Sequence, residues 1–158
     1  MQKGFTLIEI LTVFAVTAIL ISLSVISLSQ VRESASTDSA LEVLLSDIRL
    51  QQIKSMTGDT FGQTTTFPFG IYFTSTNYTL FRGNSYLASD PTNFTIPLSG
   101  NLRFSEITFP SSQIVFEKGS GEVVNFNAST ATLTLTNTVS NEATVITLNK
   151  YGAFISVQ

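Results

Sequence analysis

Eleven carboxylates and eight basic side chains are the only side chains here with an ordinary charge at neutral pH, because the 158 residues include neither histidine nor cysteine. That removes Ser-His-Asp catalysis, thiolate nucleophiles and every histidine or thiolate metal site. Carboxylate pairs remain, yet no two acids sit in a recognisable catalytic motif, and no Asp-x-Asp pattern marks a calcium loop. Glu117, Glu122 and Glu142 read as solvated loop surface. The expectation is a non-enzyme without a metal or other cofactor. One carboxylate stands apart. Glu9 is the single charge in the run Phe5–Leu28, FTLIEILTVFAVTAILISLSVISL. An ionisable group in a membrane-length apolar segment costs about 2.5–3.5 kcal/mol near the bilayer centre on insertion scales, and marks a functional site by default.

The element that must carry Glu9 is a helix. No Pro or Gly interrupts the run after Gly4. At 1.5 Å per residue, 24 residues span about 36 Å, enough for a ~30 Å hydrocarbon core. Thr6, Thr12, Thr17, Ser22, Ser24 and Ser27 can bond back to the preceding turn without breaking it. A cleavable secretory signal fits poorly. Its apolar core would be shorter, and Ala15-Val16-Thr17-Ala18, a weak match to a cleavage site, lies inside the run rather than behind it.

Lys3-Gly4-Phe5-Thr6-Leu7-Ile8-Glu9, leading straight into the apolar helix, resembles the N-terminus of type IV pilins and type II secretion pseudopilins. The resemblance implies a leader, Met1–Gly4, removed by a prepilin peptidase that cuts after Gly4. It implies N-methylation of the new N-terminal Phe5, and an assembly role for Glu9. The physics is consistent with that assignment. Cleavage would leave a positive α-amino group at the positive end of a helix dipole. Glu9 of a neighbouring subunit could neutralise it, which in low dielectric favours assembly and sets register. This leader is shorter than most in the family. Ile26-Ser27 occupies the place where many members carry a kink-forming proline, so a kink is less expected here.

Beyond Leu28 the pattern turns amphipathic. Leu41, Leu44, Leu45 and Ile48 recur at helical spacing, against Arg32, Glu33, Asp38, Glu42, Asp47 and Arg49. Ser and Thr between Ser34 and Ser39 weaken helical propensity. One helix is predicted from about Phe5 to Met56, stopped at Thr57-Gly58-Asp59 with Gly58 as the C-terminal cap. From Gly58 onward, period-two alternation predicts strands. Residues 69–73 and 78–82 form one expected hairpin, and 113–117 and 122–126 a second. Residues 132–136, 145–149 and 153–157 form a meander with turn signals at Asn137, Asn141 and Tyr151-Gly152. Asn84–Ser112 reads as irregular, with Pro91, Pro97 and Pro110 confining any strand to an edge. Many of the thirteen phenylalanines fall on or beside strand positions and are expected in the core.

The expected fold is therefore α+β: a long N-terminal helix packed on a C-terminal antiparallel β-domain, as in pilins. Its divisions are a leader at 1–4, a transmembrane and assembly helix at 5–28, an amphipathic helix at 29–57 and a β-rich globular domain at 58–158. The 45–52 stretch, LSDIRLQQ, resembles the minor pseudopilin H group, and the cysteine pair of many major pilins is missing. The resemblance implies a minor pilin or pseudopilin anchored once in a prokaryotic cytoplasmic membrane, with its globular part outside the cytoplasm and a filament as its destination. Implied partners are other pilin or pseudopilin subunits, prepilin peptidase, an inner-membrane assembly platform and membrane lipid. A membrane-anchored adhesin or DNA receptor that never polymerises is the competing reading. Nucleic acid is an unpromising partner: the net charge is −3, and Lys150–Ile155 offers one basic residue. Three Asn-x-Ser/Thr sites, at Asn77, Asn93 and Asn127, arise easily by chance in so Thr- and Asn-rich a chain.

Overall fold

The predicted helix forms as one piece. In the computed structural model, which describes residues 4, 6–60 and 65–157 and the side chains of those residues other than 23–33 and 156–157, α1 runs Leu7–Thr57, 51 residues. That is about 77 Å of helix at 1.5 Å per residue. Thr6 caps its start in extended conformation. Gly58 ends it at φ 68°, ψ 46°, with its N–H donating to the Lys54 carbonyl. This left-handed position suits a residue without a Cβ.

Eight strands follow: β1 (Phe69–Phe73), β2 (Asn77–Arg82), β3 (Phe94–Pro97), β4 (Leu102–Ile107), β5 (Gln113–Phe116), β6 (Thr132–Asn137), β7 (Ala143–Leu148) and β8 (Phe154–Val157). They make two four-stranded antiparallel sheets, ordered β3-β2-β1-β5 and β4-β6-β7-β8. The β1–β2 hairpin and the β6-β7-β8 meander are the ones expected. The α+β architecture is the expected one.

Three expectations need correction. First, Asn84–Ser112 holds two strands, β3 and β4. Both are edge strands, and Pro97 closes β3, where a missing N–H costs no interior ladder bond. Second, 122–126 is not a strand. β5 pairs with β1, and only a single bridge joins Phe116 to Val123. Asn125 turns to φ 53°, which breaks extended backbone despite the apolar alternation around it. Third, the buried stripe of α1 is partly polar: Thr37, Gln51 and Ser55 are buried with Leu44 and Ile48.

The core lies between the second half of α1 and the two sheets. Leu44 and Ile48 share one buried cluster with Ile71, Phe73, Tyr78, Ile114 and Phe116 of the first sheet and Leu133, Leu135 and Ile146 of the second. Six phenylalanines are buried: 69, 73, 81 and 116 on expected strands, and 104 and 109 in the stretch expected to be irregular. Phe73 meets Phe104 edge-on at 5.5 Å, which ties one sheet to the other. Gly70 has to be glycine, since a Cβ there would lie 2.5 Å from the Ile114 carbonyl oxygen and from the Phe81 ring. On the outer side of the first sheet, Tyr86 stacks flat on Tyr72 at 4.1 Å, so the 83–92 loop folds back over the strands.

Candidate functional site

Of the three residues that carry the processing and assembly prediction, Gly4 and Glu9 are described; Phe5 lies outside the described residues. Gly4 is exposed, and a Cβ built there would meet nothing within 4 Å. The backbone that follows is extended at Thr6, φ −84° and ψ 151°, before it turns into α1. A scissile Gly4–Phe5 bond would thus border exposed, extended backbone.

Glu9 has a second, local role that the sequence reading overlooked. It is the third helical residue, and Thr6-x-x-Glu9 is a capping box. The Thr6 N–H and the Thr6 hydroxyl both donate to Glu9 Oε2 at 2.9 Å. In return the Glu9 N–H lies 3.3 Å from Thr6 Oγ1. The S/T-x-x-E signal was legible at 6–9. Thr6 therefore caps the helix instead of bonding backwards, whereas Thr12 and Thr17 do bond back, at 2.7 Å to the carbonyls of Ile8 and Val13.

Above the cap, the described side chains of α1 are exposed. Leu7, Ile8, Leu11, Val13, Phe14, Ile19 and Ile21 are all more than half exposed, and they point in every direction round the helix. A helix apolar on all sides needs a bilayer or other helices to cover it. Among the described residues, however, no helix is long and apolar enough to cross a membrane. The span predicted over 5–28 is not found there; its side chains from residue 23 on fall outside the described set.

The lower half is bolted to the β-domain by polar contacts as well as by its apolar stripe. Gln51 Nε2 donates to the Gly70 carbonyl at 3.0 Å, and Ser55 Oγ accepts from the Phe69 N–H at 2.8 Å. Gln52 Nε2 reaches the carbonyls of Gly121 and Tyr151 at 2.9 and 2.6 Å. The Tyr78 hydroxyl donates to Asp47 at 2.6 Å. The Ser- and Thr-rich stretch, weak in propensity, is held from outside: Ser34 donates to Glu142 at 3.2 Å, and Asn137 Nδ2 donates to Thr37 at 3.2 Å. Asn137 also caps the β6–β7 turn through the N–H of Val139, which unites the predicted turn signal with a helix anchor.

No group of three or more acidic side chains suited to a metal is found among the described residues. Glu122 forms an exposed ion pair with Lys150 at 2.8 Å. Glu142 is spent on Ser34 and Ser140.

Comparison with known families gives one match: residues 1–25 fit the prokaryotic N-terminal methylation motif. The matched stretch contains Gly4, Phe5 and Glu9, and it supports the expected type IV pilin-like, prepilin-processed character of this N-terminus. No curated protein and no solved structure matches the chain.

Proposed function

We propose that this chain is a pilin-like structural subunit, inserted in the cytoplasmic membrane of a prokaryote with its β-domain outside the cytoplasm. Prepilin peptidase cuts after Gly4, and Phe5 becomes the methylated N-terminus. The subunit is then assembled, through an inner-membrane platform, with other pilins or pseudopilins into a type IV pilus or type II secretion filament. The finer reading is a minor pilin or pseudopilin. The role is structural, not enzymatic.

The N-terminal methylation motif carries the reading. The uncovered apolar half of α1 supports it, because such a surface fits first a bilayer and then a bundle of like helices. Cleavage creates an α-amino group on Phe5, the residue directly before the Thr6 cap. Glu9 of a neighbour offers the opposite charge, and leaving either group alone in low dielectric is expensive. Processing thus converts an anchored precursor into a subunit with a complementary charge pair. Sequencing the N-terminus of the protein purified from membranes tests this. The expected result is a chain starting at methylated Phe5. An intact Met1, or cleavage near Ala18, contradicts it.

A further inference from the structure

The two ends of the β-domain along α1 differ in charge. Glu142, beside the start of β7, accepts from Ser34 of α1, and the Tyr151 carbonyl, past the end of β7, accepts from Gln52. Ser34 to Gln52 is about 27 Å of helix, and Glu142 to Tyr151 is about 30 Å of extended chain at ~3.3 Å per residue. β7 therefore lies lengthwise along α1, and the β6–β7 turn is at the end nearer the apolar half of the helix. Two more turns gather there. Ser99 meets Ser36 at 3.5 Å, the Asn101 carbonyl accepts from the Thr138 N–H, and the Leu98 N–H donates to the Thr76 carbonyl.

These three turns, 74–77, 98–101 and 138–141, read TSTN, LSGN and TVSN, rich in hydroxyls and amides and without one charged side chain. The opposite end, around Gln52 and Ser55 of α1, carries Arg82, Glu117, Lys118, Glu122 and Lys150. Glu142 flanks the uncharged end, where it accepts from Ser34 and Ser140. Val139 stands at the tip of that end, 59% exposed. It is held there: Asn137 Oδ1 accepts from the N–H groups of Val139 and Ser140, and Asn137 Nδ2 donates to Thr37 of α1. The height of the tip follows from α1. The apolar run ends at Leu28, about 9 Å of helix before Ser34, and the turn extends about 5 Å beyond Glu142 toward it. Val139 thus lies within about 5 Å of the level where the run ends, inside a headgroup layer of about 5–8 Å.

We propose that this uncharged end of the β-domain rests on the outer face of the membrane, with Val139 inserted among the lipid headgroups. The inference rests on the membrane insertion proposed above and adds a second contact to that of the helix. An apolar side chain at that depth leaves water, and the hydroxyl and carboxamide side chains around it can donate to lipid phosphate and ester oxygens. The tip cannot retract without breaking the bonds of Asn137 to Thr37 and of Ser34 to Glu142. A lone helix leaves tilt and rotation open, and anchors at the interface fix them. The contact therefore sets how the β-domain stands on the membrane before assembly.

The chain has no cysteine, so each cysteine variant carries a single thiol for a polarity-sensitive NBD dye. The full-length protein is reconstituted in vesicles of phosphatidylethanolamine and phosphatidylglycerol that carry a nitroxide on either the headgroup or the acyl chain. The labelled variants are Val139→Cys and Gly100→Cys at the uncharged end, Lys118→Cys at the charged end and Ile19→Cys in the apolar half. A Cβ at Gly100 meets nothing within 4 Å, and the other three side chains are exposed, so the labels leave the core intact. The headgroup nitroxide should quench the Val139 and Gly100 labels, and the Val139 emission should shift to the blue. The Lys118 label should keep its intensity, and the acyl-chain nitroxide should quench the Ile19 label. A quenched Ile19 label beside a Val139 label that behaves like Lys118 overturns the inference and leaves membrane insertion standing. An unquenched Ile19 label overturns both.

Discussion

Glu9 is held by its own helix and is also assigned to a neighbour, and three substitutions separate the two roles. Both Thr6 donors converge on Glu9 Oε2 at 2.9 Å, so the cap is a property of one chain. Thr6→Ala deletes the side chain at the cap and leaves the Glu9 charge. Loss of an N-cap side chain costs ~0.5–2 kcal/mol, typically about 1. Glu9→Gln is the complement: glutamine serves at the third position of a capping box, so the helix start survives while the charge goes. The α-amino group of the next subunit is then left unpaired in low dielectric, a loss on the order of 3–5 kcal/mol. The difference, about 2–4 kcal/mol, is a ~30- to 1,000-fold gap in the assembly equilibrium. Glu9→Ala should combine both losses. The assay is the ratio of this subunit in sheared filaments to that in membranes, by quantitative immunoblot, with cleavage checked by mass spectrometry. Expected is a drop of about fivefold for Thr6→Ala and of at least about a hundredfold for Glu9→Gln, both chains being inserted and cleaved. If Glu9→Gln assembles like the parent, the charge-pairing argument is wrong. If Thr6→Ala is equally defective, Glu9 works through the cap alone.

Two further outcomes test the junction between helix and β-domain. Ser55→Ala removes the acceptor of the buried Phe69 N–H. Losing it costs ~1–3 kcal/mol, less about 0.5 regained in helix propensity, so thermal unfolding should fall by several degrees. Ser46→Ala, on the exposed face of the same helix, should change stability by no more than about 0.5 kcal/mol; equal effects would show that the bolt carries no weight. Burial, and then the Asp47 carboxylate it donates to, push the Tyr78 phenol well above its usual value of about 10. A raised folded value means that this contribution to stability is complete below about pH 10 and is lost as pH rises toward the folded value. Tyr78→Phe should therefore lose about 1 kcal/mol at neutral pH, and its stability should fall less steeply than the parent's under alkaline conditions, as read by denaturant melts.

The features legible in the sequence were those with a strong period or a strong punctuation mark. Gly58 stopped the helix because the left-handed cap has few alternatives. The β1–β2 hairpin and the β6-β7-β8 meander showed clean alternation with turn residues between. What misled was local apolarity without its backbone. The 122–126 stretch alternates like a strand, but Asn125 turns to φ 53° and only the single bridge at Val123 forms. The stretch holding β3 and β4 has no clean alternation and reads as irregular, although both strands lie at edges, where its prolines confine any strand. Polar anchors were invisible for a different reason. Thr37, Gln51 and Ser55 look like the solvated face of an amphipathic helix, and only the distant Asn137, Gly70 and Phe69 give them partners. Glu9 was recognised by its setting, while its cap with Thr6, a purely local signal, went unread.

These anchors bear on how the molecule would work as a subunit. An apolar stripe alone fixes how close a helix lies to a sheet but permits it to slide and roll by a few ångströms, because dispersion contacts are non-directional. Hydrogen bonds at 2.6–3.2 Å from Ser34, Thr37, Asp47, Gln51, Gln52 and Ser55 to both sheets and to their connecting turns remove that freedom along more than 20 residues of α1. The helix continues from this clamp to Thr6 with no described break. Axial position at the Glu9 end is therefore coupled to the orientation of the β-domain through one rigid rod. A neighbour that fixes the register of Glu9 would also fix where the β-domain faces, so the polar bolts convert a single charge pair near the N-terminus into a defined outer surface.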